Sequence, residues 1–285
     1  MAFELPVSLS PSKVSSFTNC ALSFRFSSID KIPSPPTIAT VKGTLVHSAL
    51  EHLFSLEPPS RTLDAALDAL ATARVALNNN PEWRELALDE HSTEEFIADA
   101  MRLVHTYFTM EDPSTINPIG NELRVEQQLP TDNGSSVLLR GIIDRLERDA
   151  DGNLIVSDYK TGKSPKSQYA SARLTGVHIY AWLCEQIYGE RPTKVQLLFL
   201  GDGQVVEAFL TEQSSRQIER KLRSIWSTIE TACSQEDFRP RKSPLCSWCS
   251  YQQWCPEFGG DPAQARPEFL ASGRPYAPAP PGRRD

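Results

Sequence analysis

The chain has 285 residues, 40% of them apolar and 23% charged, with a formal net charge of −7; this is the composition of an ordinary globular protein, long enough for one large domain or two small ones. No stretch approaches the roughly 18 uninterrupted apolar residues of a membrane-spanning helix, and the opening MAFELPVSLSPSK lacks the basic-then-apolar pattern of a signal peptide. A cytoplasmic protein with no membrane partner is expected.

Taken in chain order, Ser10-Pro11 starts a helix with proline in its first turn, carrying Val14, Phe17 and Cys20. Pro33 to Pro36 reads as a linker. From Gly43 to Phe54 the apolar residues Leu45, Val46, Ala49, Leu50 and Leu53 have helical spacing, and His47 lies on that helix. Residues 61–79 and 92–110 repeat the periodicity around Pro81. The segment 61–112 holds four basic and eleven acidic residues, which accounts for the whole net charge, so it reads as an acidic helical insertion. Strands dominate from Asn121 to Lys160. A helix follows near 172–188, then strands at 194–200 and 205–210 and a helix at 214–232. The tail 261–285, rich in Pro, Gly, Ala and Arg, is expected to be disordered. Arg216, Arg220, Lys221 and Arg223 on the last helix, and Arg239, Arg241 and Lys242 beyond it, are either a phosphate-binding face or ordinary solvated charges.

The stretch GIIDRLERDADGNLIVSDYKTG, residues 141–162, places Asp144, Asp158 and Lys160 inside apolar β-structure. The runs 137–146 and 154–159 flank Asp149-Ala-Asp-Gly-Asn153, whose turn chemistry leaves Gly152 for a left-handed position, so they read as a hairpin. With a loop centred on Asp151, paired positions sum to about 302, which sets Asp144 opposite Asp158. Alternation then points Asp158 and Lys160 to one face and Tyr159 to the other. Two ionised carboxylates roughly 5 Å apart repel, and in an apolar setting they call for a cation. All-oxygen ligation with room for water and phosphate suits Mg²⁺ or Mn²⁺, and a lysine beside it can orient the attacking water. The plainer alternative is a half-exposed hairpin bearing an Asp–Lys surface pair.

Cys246-Ser-Trp-Cys249 followed by Cys255 is a C-x2-C-x5-C run that supplies three thiolates. Six cysteines in such a chain are metal ligands or buried thiols rather than disulfides. Cys184 and Cys233 fall within helices, where a buried thiol is the default, and Cys20 is the better fourth ligand. Four cysteines suit either a structural Zn²⁺ or an iron–sulfur cluster, and their chemistry alone does not separate the two.

The sequence resembles the RecB-family exonucleases of the PD-(D/E)XK nuclease superfamily, in the iron–sulfur branch that includes AddB-type nuclease domains and CRISPR-associated 4Fe-4S exonucleases. The resemblance is carried by SPSKVSSFTNCALSFRF at 10–26, KGTLVHSALEHLF at 42–54, RGIIDRLERDADGNLIVSDYKTG at 140–162, YAWLCEQIYG at 180–189 and FRPRKSPLCSWCSYQQWCPEFGG at 238–260. It implies an α/β, restriction-endonuclease-like mixed central sheet flanked by helices, with the helical insertion and a C-terminal cysteine cluster. The nuclease domain would span 1–260, with 238–260 joined to Cys20. His47, Asp144 and Asp158 would be metal ligands, the backbone carbonyl of Tyr159 would complete the shell, and Lys160 would be the catalytic lysine. Cys20, Cys246, Cys249 and Cys255 would hold a 4Fe-4S cluster of structural role, and Tyr180 would contact substrate. Glu126 on the strand before the hairpin is either an acid near the substrate or, more simply, a solvated strand glutamate. Relatives carry Gln four residues before the motif tyrosine; here that position is Gly176, with His178 nearby.

The expected activity is therefore that of a Mg²⁺- or Mn²⁺-dependent DNA exonuclease preferring single strands or free ends, used in DNA repair or recombination. No P-loop pattern is present, so any helicase would be a partner. The rival reading is a non-catalytic DNA-binding or assembly subunit that keeps the fold and the cluster.

Overall fold

The computed structural model describes residues 2–272, the side chains of residues 167–173 excepted. Its chain divides into two compact units: Met1–Pro35, Glu126–Gly141 and the described part of Arg216–Asp285 form one, and Pro36–Val125 with Ile142–Ser215 form the other. Domain 1–260, as read from the sequence, thus comprises stretches of both units interleaved along the chain.

The second unit begins with α3 (Ile38–Phe54), the third helix after α1 (Pro11–Asn19) and α2 (Ala21–Phe24). It starts five residues before the expected Gly43, because Thr37 and Thr40 close a reciprocal capping box at its N-terminus. The acidic segment is helical: α4 (Leu63–Leu77), α5 (Pro81–Glu85) and α6 (Glu90–Met110) fill it. The apolar stripes of α4 and α6 are buried with that of α3, Leu45, Leu50, Leu70, Leu103 and Tyr107 among them, and Trp83 of α5 packs against that core half-buried.

Five strands form one sheet in the order β1-β2-β3-β4-β5: β1 (Asn117–Pro130), β2 (Ser136–Arg148), β3 (Leu154–Lys160), β4 (Lys194–Phe199) and β5 (Gln204–Phe209). The β2–β3 and β4–β5 pairs are antiparallel and β3–β4 is parallel. A parallel pair needs a crossover, and α7 (Ser167–Tyr188) supplies it, packing against β3 and β4. This is the mixed sheet with flanking helices that the sequence implied. The hairpin register is the expected one: Arg145 faces Ser157 and Leu146 faces Val156, each pair summing to 302, and Gly152 takes φ 86° in the turn.

In the first unit, Ser10 caps α1, accepting a hydrogen bond from the backbone N–H of Lys13. α8 (Glu212–Gln235) buries Ile218, Leu222, Trp226 and Ile229 along one stripe. The stretch after Gly260 departs from the expected tail: Pro262–Gln264 is a 3₁₀ turn and α9 (Ala265–Ala271) follows, with Ala265 and Phe269 buried and Glu268 accepting from Trp254 Nε1. The apolar anchors outweigh the Pro-rich composition there. Residues 273–285 of the expected disordered tail lie outside the described residues.

Behind β2 and β3 lies Arg145, whose side chain has 0% exposure. Its guanidinium makes a two-pronged pair with Glu111, both contacts 2.8 Å, and donates to Tyr159 Oη at 2.7 Å and to Tyr107 Oη and Ser157 Oγ at 3.3 Å. Glu147 pairs with its Nε. Removing one member of such a buried set strands the others, so Arg145→Met is expected to lose about 3–5 kcal/mol of stability. Urea unfolding measures it, and a loss below about 1 kcal/mol would show that the network carries little.

Candidate active site

All candidate residues from the hairpin, together with His47, belong to the second unit. Helix α3 buries its stripe of Leu45, Val46, Ala49 and Leu50 and sets His47 on the flank of that stripe. The imidazole Nε2 lies 3.1 Å from the Tyr159 carbonyl oxygen, and Nδ1 lies 3.3 Å from Glu122 Oε1 and 3.6 Å from Asp144 Oδ1. The His47 and Tyr159 rings meet edge to face with centroids 5.9 Å apart.

The β2–β3 ladder ends at Arg145–Ser157, and one residue on, Asp144 Oδ2 takes the place of the next backbone acceptor, accepting the Tyr159 N–H at 2.7 Å. Asp144 thus pins the backbone N–H of the residue whose carbonyl faces His47. Asp158 is buried and forms an ion pair with Lys160, whose own side chain is 46% exposed. Tyr159 points the other way, into the core beside Tyr107 and Arg145, as strand alternation requires. Beyond Lys160 the backbone is held by β4 and the turn after it. Leu200 N–H donates to the Lys160 carbonyl at 2.8 Å, and Gly201 approaches Gly162 so closely that a β-carbon would lie 2.5 Å from the Gly162 oxygen. Glycine is required at 201 for that reason.

Burial pushes the Asp144 carboxyl up to about 7, helped by the charge of Asp158 and only partly offset by His47 and Lys160. Burial opposes protonation of His47, but the carboxylates of Asp144, Glu122 and Asp158 outweigh it and the imidazole is raised. Tyr180, on α7, is likewise raised by burial and by Asp158, Asp144 and Glu122, and its phenol hydrogen-bonds to the backbone of Ile142. The fold therefore brings Tyr180 to the carboxylates. Burial and the neighbouring carboxylates make these groups hold their protons more tightly, and imidazole, carboxylates and a main-chain carbonyl are a donor set that fits Mg²⁺ or Mn²⁺. Among the described residues, His47, Glu122 and Asp144 make the single group of three metal-capable side chains with donor atoms within 4.8 Å of one another.

Glu122 was not singled out in the sequence. Simple alternation along β1 gives Glu122 and Glu126 the same face, but Glu122 has φ 44°, and this left-handed residue shifts the phase of the strand. Glu126 stays exposed, a solvated strand glutamate. No spacing signal betrays a left-handed glutamate.

The cysteines belong to the first unit. Cys20 sits at the junction of α1 and α2, and Cys246, Cys249 and Cys255 lie on the 3₁₀ turns Pro244–Trp248, Gln252–Trp254 and Pro256–Phe258 or at their caps. All four line one cavity of about 270 Å³. Burial raises the Cys249 and Cys255 thiols, and the neighbouring cysteines raise them further. Tyr251 and Trp254 pack on Phe26, at 5.4 and 6.0 Å between ring centroids, and Tyr251 Oη donates to the Ile32 carbonyl at 2.8 Å. Cys184 and Cys233 are buried elsewhere, as expected for structural thiols. Of the basic groups, Arg223 pairs with Glu219 at 2.6 Å, Arg239 with Asp237 at 2.8 Å, and Arg241 donates to the Thr18 carbonyl at 3.2 Å.

Protons and a cation compete for His47 and Asp144. Asp144 moves from 3.8 to about 7 on folding, so without metal its contribution to stability falls as pH rises through that window. Cation binding runs the opposite way: the Mn²⁺ dissociation constant is expected to drop at least about tenfold between about pH 5.5 and about pH 8, where Asp144 loses its proton. Calorimetric titration across that range checks the slope, and a flat profile would place the cation elsewhere.

Among known proteins, the chain is similar to the Gene 69 protein of Mycobacterium phage D29, with 24% identity over 271 residues covering 87% of this chain and 96% of the phage protein. Two solved structures are similar to it. One is a candidate exonuclease from Eubacterium rectale, with TM-score 0.50, 12% identity and coverage of 86% of this chain and 88% of that one. The other is SSO0001, with TM-score 0.43, 14% identity and coverage of 89% and 88%. The profile of the PD-(D/E)XK nucleases matches residues 8–256. With that match spanning the mixed sheet and its acidic hairpin, the chain belongs to the PD-(D/E)XK nuclease superfamily.

Proposed function

We propose that this chain is a divalent-cation-dependent DNA exonuclease of the RecB-like, iron–sulfur branch. The observation that carries the reading is the meeting of His47 and Asp144 on the Tyr159 backbone, beside the Asp158–Lys160 ion pair, in a member of a nuclease superfamily. His47, Asp144, Asp158 and the Tyr159 carbonyl would hold Mg²⁺ or Mn²⁺, which would supply charge against the phosphate and make water a better nucleophile. Lys160, anchored by Asp158 yet open to solvent, orients the attacking water and donates to a phosphate oxygen. The water oxygen bonds to phosphorus, its proton passing to solvent, as the bond to the departing sugar oxygen breaks and that oxygen takes a proton from solvent. Tyr180 keeps its phenolic proton beside the carboxylates and serves as a donor to the substrate phosphate. Action at free ends, a role in DNA repair or recombination and a helicase partner come with the RecB resemblance.

Cys20, Cys246, Cys249 and Cys255 are assigned to a 4Fe-4S cluster that holds its unit together. A single Zn²⁺ needs its four sulfurs about 3.8 Å apart. These sulfurs form no group of three within 4.8 Å but surround a cavity, which favours a larger cofactor. The Ser243 N–H lies 3.4 Å from Cys246 Sγ, a contact of the kind that stabilises cluster-bound sulfur.

Two experiments test this. Protein purified without oxygen should cut end-labelled DNA only with Mg²⁺ or Mn²⁺ and not in EDTA, and Asp158→Ala and Lys160→Ala should each lower the rate at least about a hundredfold. Wild-type protein that binds DNA and never cuts it would favour the non-catalytic subunit, which the Gly176 departure supports. Iron analysis and visible absorbance test the cluster: about four irons per chain are expected in the wild type and near none in Cys249→Ser. A colourless protein with about one zinc would replace the cluster by a structural Zn²⁺.

A further inference from the structure

We propose that Glu122 is a positioning residue for His47, accepting its Nδ1–H and so fixing the tautomer in which Nε2 turns its lone pair to the cation. The proposal rests on the metal site of the nuclease reading and adds a residue to it.

Both imidazole nitrogens of His47 face oxygen. Nδ1 is 3.3 Å from Glu122 Oε1 and 3.6 Å from Asp144 Oδ1, and Nε2 is 3.1 Å from the Tyr159 carbonyl. A carbonyl and an ionised carboxylate only accept, and a neutral imidazole has one N–H. In the neutral ring one nitrogen therefore presents a lone pair to an oxygen lone pair, and either a second proton or a cation resolves that contact. The stronger acceptors are the carboxylates on the Nδ1 side, so the proton stays there and the lone pair falls at Nε2. The spacing on that side is right for two adjacent ligands: donors about 2.1 Å from a cation of this size and at right angles are about 3.0 Å apart, against the 3.1 Å found between Nε2 and the Tyr159 oxygen.

Asp144 helps from the other end by holding the Tyr159 N–H at 2.7 Å, which aims the carbonyl of the same residue. Glu122 has the geometry of an orienting carboxylate, the arrangement found behind many metal-bound histidines. It reaches Nδ1 from a left-handed backbone, φ 44°, which residues with side chains adopt rarely.

The test uses the full chain with ¹⁵N-labelled histidine, in the wild type, Glu122→Gly and Glu122→Gln. Glycine suits the left-handed backbone and removes the acceptor, and glutamine keeps an accepting oxygen without the charge. Imidazole ¹H–¹⁵N spectra report the tautomer, and calorimetry with Mg²⁺ reports affinity. The expected result is a His47 Nδ1–H tautomer in Mg²⁺-loaded wild type and Glu122→Gln, with affinities within about threefold of each other. Glu122→Gly should bind Mg²⁺ at least about tenfold more weakly and lose that single tautomer. Unchanged tautomer and affinity in Glu122→Gly would overturn the proposal and leave the nuclease reading intact. Glu122→Gln falling as far as Glu122→Gly would also overturn it, making Glu122 a direct ligand. Wild type that binds no Mg²⁺ at His47 would remove the metal site and this proposal together.

Discussion

A guanidinium sealed inside the second unit is the constraint on which the candidate active site depends. A charge removed from water is tolerated only where its donors find acceptors and its charge finds a counter-charge. Arg145 meets both conditions by taking Glu111 from the end of α6, Glu147 from its own strand, and oxygens from Tyr107, Ser157 and Tyr159. Gln196 on β4 joins the same set by donating to Ser157 Oγ at 2.8 Å. One side chain thereby ties α6, β2, β3 and β4 together, with the Phe54 ring of α3 under its guanidinium. Arg145 and Asp144 are neighbours on β2, so fixing one to the core face fixes the other to the opposite face. Tyr159 and Lys160 obey the same logic on β3.

The opposite face concentrates negative charge under poor solvation. Asp144, Asp158 and Glu122 surround His47, and Lys160, paired with Asp158, brings a positive charge to them. Protonation of Asp144 and His47 relieves the repulsion in the metal-free chain. A divalent ion relieves it better, because one dication offsets the charge of two carboxylates at once. Stability and chemistry then draw on the same cation: what the fold lacks electrostatically is what phosphodiester hydrolysis requires.

The cysteine-bearing unit follows a different design. Its chain ends meet through aromatic packing of Phe26, Tyr251 and Trp254 and through hydrogen bonds from Tyr251 and Trp254, so the apposition of Cys20 with the later cysteines has support from the protein itself. A metal cofactor bound there would add to that scaffold. Thiols raised by burial and by one another are costly to ionise unless a metal takes the thiolates.

Much of this was written in local sequence. The hairpin register followed from a turn with glycine at its left-handed position and from the period of two in strands, and it put Asp144 and Asp158 together before any packing was known. Helical periodicity found α3 and the acidic helices, though the start of α3 waited on a capping box between two threonines. The residues after Gly260 were misjudged as a tail, since composition does not reveal that Ala265 and Phe269 have a surface to bury against. Arg145 stood in plain view within the hairpin, yet its role depends on Glu111, 34 residues away. Glu122 was hidden more deeply, because its approach to His47, 75 residues distant, hangs on a single left-handed backbone angle. Local periodicity and turn chemistry are properties of neighbours in sequence and so can be read there. Burial, charge partnership and the tautomer of a histidine are properties of neighbours in space, and only the tertiary structure decided them.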